Sequence, residues 1–491
     1  MRTSANRNST VSEVRSPGRL GTMPATCPHA GRYVNDSAVV PEDPMPAATV
    51  QQPWPSARRA WYGVTMFGLT VMTLFGSGAL TGLLVQSIKV DLALTDTQVS
   101  LIVGFAAAAF NAVASLPISR LVDRMSRRLI IGVGLLVMGI GSALTGLANG
   151  FWQLFAARLF SGIGGAGNGP ATYSILADYF PPAKLPKAIA FMNFGFTSGT
   201  GIALLLGGTL IAALAKMGDP TLPLIGAVRP WQLVFLVMAI PDLLLGLLML
   251  TTVYEPPRRG RALAAGAAHR AAPIRAVLAH LWRERAAFGP MFLGLACNSL
   301  AMGTVVWAAP FYERTYGWGP AQYGIIQGLV LLLIAPIGLA FGGWLAERWA
   351  REGRDDANMR VVVLAGVAHM PFAIAYALMP SPYLALAAAS LNSVLILIGV
   401  GPQNAALQVI VPNEMRGQVT ALFLFLFTMI GIGIAPTVVA LLTDYVFRDE
   451  LNLRYSIATM HAVLAPLAAL VFWRGLSGYG RAVAHARSWQ T

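Results

Sequence analysis

The run SRLVDRMSRRLIIGVGLLVMGIGSALTGLAN, residues 119–149, sets four arginines and one aspartate against 21 residues without a charge. A surface helix of a soluble protein keeps a polar face along its length. A stretch that is apolar all round for about 20 residues matches the hydrocarbon core of a bilayer instead. Working outward in both directions, the pattern repeats, and it predicts twelve membrane-spanning helices. They fall at 61–87, 98–119, 129–149, 152–177, 188–214, 231–254, 287–310, 321–346, 360–379, 382–410, 417–443 and 455–473. The whole chain is 491 residues, 56% hydrophobic and 11% charged, with a mean hydropathy of +0.61. Soluble domains carry about a quarter charged residues.

The net charge of +14 does not point to nucleic acid, because the basic residues sit in short loops between apolar runs. With both ends of the chain on one side, 28 Lys and Arg fall on that side and six on the other. By the positive-inside rule both termini are expected in the cytoplasm. Residues 1–58, rich in Pro, Ser, Ala and Asn, read as a disordered cytoplasmic tail without the apolar core of a signal peptide. Residues 59–254 are expected to form one six-helix bundle, 255–286 a basic cytoplasmic linker, 287–475 a second six-helix bundle and 476–491 a cytoplasmic tail. Two cysteines, Cys27 and Cys297, make neither a disulfide framework nor a metal set, and no cofactor is expected. Six scattered histidines argue against a membrane hydrolase. The absence of a Gly-x-x-x-x-Gly-Lys-Ser/Thr loop argues against a nucleotide-driven pump.

The halves echo one another. Leu121-Val122-Asp123-Arg124 after span 2 matches Leu345-Ala346-Glu347-Arg348 after span 8, and Gly167-Asn168-Gly169-Pro170 in span 4 matches Gly399-Val400-Gly401-Pro402 in span 10. Corresponding elements in two six-helix halves are the mark of a duplicated transporter. The expected fold is therefore all-α and integral to the membrane, with two pseudo-symmetric six-helix bundles.

The loop Ser119-Arg120-Leu121-Val122-Asp123-Arg124-Met125-Ser126-Arg127-Arg128 resembles the signature of the major facilitator superfamily, with Ser119 and Ser126 where glycines are usual. The resemblance implies that Asp123, Arg124, Arg127 and Arg128, with Glu347 and Arg348, latch one half to the other in the outward-open state. An ordinary basic loop is the alternative. Ile88-Lys89-Val90-Asp91-Leu92 through Asp96-Thr97-Gln98 resembles the Spinster family within it. So do Ala177-Asp178-Tyr179-Phe180-Pro181, Tyr316-Gly317-Trp318, and Pro412 to Gln418 leading to Thr443-Asp444-Tyr445-Val446-Phe447. That resemblance implies a divergent bacterial member in the inner membrane, moving lysolipid-like amphipathic molecules. Two departures stand out: Ser77-Gly78 and Gly165 occupy the places of the family's usual carboxylates.

Arg158 lies about 9 Å inside span 4, counting from Trp152 at 1.5 Å per residue. A charge there normally faces a cavity or a partner. It is read as an anchor for an anionic group on the substrate or as the partner of a protonatable carboxylate, with a structural arginine as the alternative. Asn168, Asn298, Trp307, Gln327, Asn392 and Gln403 are the other expected substrate contacts, since unpaired amides in hydrocarbon are costly and turn inward. Asp242 and His369, near mid-membrane, are candidates for ion coupling. The partners implied are an amphipathic or anionic small molecule and the lipid bilayer, not nucleic acid, with the protein acting as a monomer. A proton-coupled exporter of drugs or small solutes is the alternative reading.

Overall fold

The computed structural model describes residues 54–181, 184–214, 216, 221, 222, 226–258, 273–412 and 414–487. The expected tail up to residue 53, linker residues 259–272 and Asn413 lie outside the described residues, as does the side chain of Asp123.

Twelve long helical segments run through the described chain. They are α1 (Ala57–Leu83), α2 (96–124), α3 (Arg127–Gly146), α4 (151–179), α5 (Leu185–Leu214) and α6 (Pro230–Thr252) in the first half. The second half holds α7 (285–316), α8 (Pro320–Arg351), α9 (Ala357–Leu378), α10 (Pro382–Val409), α11 (Arg416–Phe447) and α12 (Leu453–Arg487). Eleven of these are long and apolar enough to cross a membrane. The twelfth, α4, is interrupted at Ala166-Gly167 into pieces of 15 and 12 residues. End to end its residues reach about 43 Å at 1.5 Å each, more than a bilayer core requires.

Glycine lets these helices touch. A Cβ on Gly199 would lie 2.5 Å from the Met72 carbonyl oxygen, so α5 packs on α1 backbone to backbone. Glycine-mediated approach of this kind is the main way helices associate where the surrounding solvent is itself apolar. The seam between α5 and α8 is built the same way. A Cβ on Gly328 would meet the Gly201 carbonyl oxygen at 2.6 Å, and one on Gly208 would meet that of Ala321 at 2.8 Å. This seam joins the two halves, as does the packing of α2 on α11. Large apolar side chains such as Leu333, Ile337 and Trp473 are left exposed by the protein.

Two features depart most from the sequence reading. Helix α12 continues to Arg487 instead of ending near residue 473, because Tyr479, Ala482, Val483 and Ala486 keep one buried face and Tyr479 donates to the Ala406 carbonyl. Within the basic linker, Ile274–Arg283 is a helix in its own right.

Candidate functional site

Arg158 is placed by the glycines that follow it. Gly162 and Gly165, four and seven residues on, share its face of α4, and that face looks toward α2 and α1. A Cβ on Gly162 would meet Ala107 Cα at 2.9 Å, and one on Gly165 would meet Asn111 Nδ2 at 2.8 Å and Leu74 Cδ1 at 3.3 Å. Asn111 Nδ2 in turn donates to the Gly162 carbonyl at 3.3 Å. The space a side chain at position 165 would need is thus filled by the Asn111 amide.

Arg158 itself is buried, at 5% exposure. Its Nε and Nη1 have no hydrogen-bond partner, and it enters no ion pair among the described residues. A guanidinium stays protonated whatever its surroundings, so this is a buried cation with no ion pair among the described residues. Asp242 is also buried, on α6, with Oδ1 unpartnered and Thr73 of α1 within hydrogen-bonding reach. No ion pair joins Asp242 to Arg158 among the described residues.

The other expected contacts disperse. Asn168 is buried with its amide unpartnered and lies nearest α3, where a Cβ on Gly134 would be 3.6 Å from its Oδ1. Gln327, Asn392 and Gln403 are buried in the second half, and Asn298 is partly buried. Asn392 Oδ1 and Gln403 Nε2 lack partners, and the 11-residue spacing puts both on one face of α10. Trp307 is fully buried, and its indole N–H already donates to the Pro436 carbonyl at 2.9 Å. His369 is buried, its Nδ1 3.0 Å from the Ala365 carbonyl of its own helix. A groove of about 400 Å³ between α8 and α10, lined by Val330, Ile334, Tyr383 and Leu386, contains none of these residues.

The basic loop forms a tight cluster inside the first half. Arg127 pairs with Asp178 of α4 and donates through Nε to Glu255 at 2.9 Å and through Nη2 to the Pro256 carbonyl at 3.0 Å. Glu255 also accepts from Ser126 Oγ and from the Arg128 backbone N–H. Burial alone would raise the Glu255 pKa, but these donors outweigh it and hold it below its ordinary value. Arg128 donates to the Val253 carbonyl, and Arg124 is exposed. In the second half Glu347 pairs with Arg351 and Arg348 with Glu352, each within its own helix and exposed.

Polar bonds that do cross between halves lie at the end of the bundle opposite the chain termini. Arg314 of α7 makes a bidentate pair with Asp96 at the start of α2, both distances 2.7 Å. It also donates to Gln86 at 2.8 and 3.0 Å. Lys89 reaches Asp96 at 2.6 Å and Glu450 of the other half at 2.7 Å. Alongside, Asp444 of α11 accepts from both the backbone N–H and the hydroxyl of Thr97, closing the N-terminus of α2 from the opposite half. Sequence reading gave none of these residues a role, although Asp96-Thr97 and Asp444 lie in stretches that carried the family resemblance.

The family model of the Major Facilitator Superfamily matches residues 66–436. An MFS-type efflux pump of Mycolicibacterium smegmatis is 25% identical over 431 residues, 86% of this chain and 94% of that protein. A probable L-galactonate transporter of Escherichia coli is 22% identical over 294 residues, 57% of this chain and 60% of that protein. Among solved structures, a bacterial homolog of the human lysosomal transporter Spinster, inward-facing and unoccupied, superposes with a TM-score of 0.71. Its sequence is 22% identical, and the match covers 88% of this chain and 98% of that one. At that identity the likeness is one of fold.

Proposed function

This chain belongs to the Major Facilitator Superfamily, and from that premise we propose that it carries an amphipathic or anionic organic molecule across the membrane by alternating access, with Arg158 binding the anionic group. The protein is an integral membrane secondary transporter and not an enzyme. With both ends in the cytoplasm, as the loop charges lead one to expect, the end closed by Arg314 and Asp96 is the outer one.

The observation that carries the reading is the buried Arg158 guanidinium, which has no acidic partner among the described residues. An uncompensated charge in the interior costs several kcal/mol, and a substrate carboxylate or phosphate relieves it. The planar fork suits either group bidentately. A relative named for L-galactonate, a carboxylate, accords with an anion at this position. Because the arginine's charge is offset by the substrate itself, transport on this reading needs no proton gradient. The amphipathic, lysolipid-like choice rests on the Spinster resemblance.

Titration of the purified protein with lysophosphatidic acid and with L-galactonate tests the proposal. At least one binds, Arg158→Ala abolishes that binding, and Arg158→Lys weakens it roughly tenfold as the bidentate fork is lost. Binding that survives Arg158→Ala overturns it.

A second reading rests on Asp242. A buried carboxyl with an unpaired oxygen beside Thr73 of α1 suits a proton-coupled exporter, and a relative is named as an efflux pump. Ethidium transport driven by a pH gradient and lost in Asp242→Asn selects that reading instead.

A further inference from the structure

The polypeptide joining the halves carries seven arginines over residues 255–286. Its described C-terminal part, the helix Ile274–Arg283, runs directly into α7. At 3.6 residues per turn, Val277, Leu281, Ile274, Leu278 and Trp282 share one arc of about 140°. The protein covers only part of that arc. Val277 is buried with Ile410 and Phe288 in the core of the second half, and His280, beside it, sits 3.3 Å from the Ile410 carbonyl through Nε2. Ile274, Leu278 and Trp282, spaced by four, remain 68%, 57% and 73% exposed.

Three large apolar side chains in one row are out of place in water. Their surroundings supply the alternative. Arg275 borders the row, Arg283 is exposed beyond it, and the Arg285 guanidinium lies over the Trp282 ring at 5.6 Å. Arg285 is the first residue of the α7 span, so Trp282 stands within one turn of a helix that crosses the bilayer. That is the level at which tryptophan and arginine settle among lipid headgroups. The acid nearby, Glu284, is turned toward His485 at 2.9 Å and stands 4.0 Å from Arg283.

The geometry points to an in-plane membrane anchor. The row Ile274, Leu278 and Trp282 inserts between headgroups and acyl chains, and Arg275, Arg283 and Arg285 bind the phosphates of anionic phospholipids in that leaflet. An apolar row flanked by basic residues has the chemistry of an interfacial helix, and each arginine near an anionic surface adds to its hold. Through His280 the anchor is tied to the turn between α10 and α11, which Arg416 braces by donating to the Gln408 and Val411 carbonyls. The anchor thus has a defined contact with the second half. The inference does not depend on what Arg158 binds.

The test places an environment-sensitive fluorophore at Leu278→Cys in a chain carrying Cys27→Ser, leaving the buried Cys297 in place. The protein is reconstituted in vesicles of phosphatidylcholine, with or without phosphatidylglycerol. Lipids brominated in the acyl chain quench the label while aqueous iodide does not, and phosphatidylglycerol deepens the quenching. In Arg275→Gln/Arg283→Gln/Arg285→Gln most of that phosphatidylglycerol-dependent part is lost. Free access to iodide without quenching by lipid overturns the anchor and leaves a face for a soluble partner. Protection that rises with protein concentration overturns it in favour of a second copy. Quenching by lipid that ignores phosphatidylglycerol overturns the role of the arginines.

Discussion

Arg127 is held from several sides at once, by Asp178, Glu255 and the Ser174 and Pro256 carbonyls, with 1% of its side chain exposed. In sequence it was one basic residue among four in a loop, and only the return of α4 and the end of α6 to the same point reveals its partners. Arg158 was the reverse case, legible at once because a lone charge interrupts an apolar run. Ser77 and Gly165, where the resembling family usually has carboxylates, were equally visible there. That Asn111 fills the space beside Gly165 was not, since nothing local in α2 signals which face meets α4. Arg127→Ala leaves Asp178 buried without its cation, a loss of about 3–5 kcal/mol, readable as a lower thermal unfolding midpoint in detergent. The same assay against pH reports on Glu255. Its pKa in the folded protein lies below the ordinary value, so its contribution is complete at neutral pH and fades as pH falls through that depressed value. Glu255→Gln is expected to flatten this acid limb; an unchanged limb assigns it to other carboxylates.

Helices α2 and α11 each widen into π-type turns, at Leu101–Ala106 and Phe427–Ile434, and these turns face one another across the halves. A Cβ on Gly104 would lie 2.7 Å from the Ile432 carbonyl oxygen and 3.0 Å from Pro436 Cγ. The widening was not evident in the sequence, because hydrophobic periodicity over six or eight residues cannot separate 3.6 from wider turns. The break in α4 escaped for a similar reason: an apolar run with five glycines reads as one span. π-type turns are uncommon and gather at functional places, and here they set how closely the two halves approach. Gly104→Ala adds an atom where the backbone of α11 leaves no room, at a cost of about 1–3 kcal/mol to this arrangement. A disulfide engineered between Ser100→Cys and Thr437→Cys, whose hydroxyls stand 3.2 Å apart, is expected to form several-fold less in the Gly104→Ala background. An unchanged yield means that the seam adapts.

At the scale of the molecule, the twelve segments and the two halves were legible because run length and repeated motifs are properties of the sequence alone. Which end of the bundle is sealed was not. Two packings of one sequence differ by a few kcal/mol, and the choice rests on contacts such as Arg314 to Asp96, residues 218 apart in the chain. In this arrangement Asp96 is fully buried and answers two cations, Lys89 from its own half and Arg314 from the other. Opening this end would separate Arg314 from Asp96 and return all three groups to water, so their desolvation weighs on the closed state alone. Asp96→Asn then leaves the buried Arg314 without its bidentate anion, and Lys89 with Glu450 alone, only while the end is shut. Removing one partner of a buried pair costs about 3–5 kcal/mol, roughly two to nearly four orders of magnitude in the ratio of closed to open. Spin labels at Val90→Cys and Leu451→Cys, both exposed at this end, report that ratio as a distance distribution. The long-distance population is expected to grow in Asp96→Asn and, by less, in Arg314→Lys, which keeps the charge but loses the bidentate fork. Should the distribution in Asp96→Asn match the parent, the seal lies in the glycine seams of α5 with α8 and α2 with α11, and the charges merely ride on it.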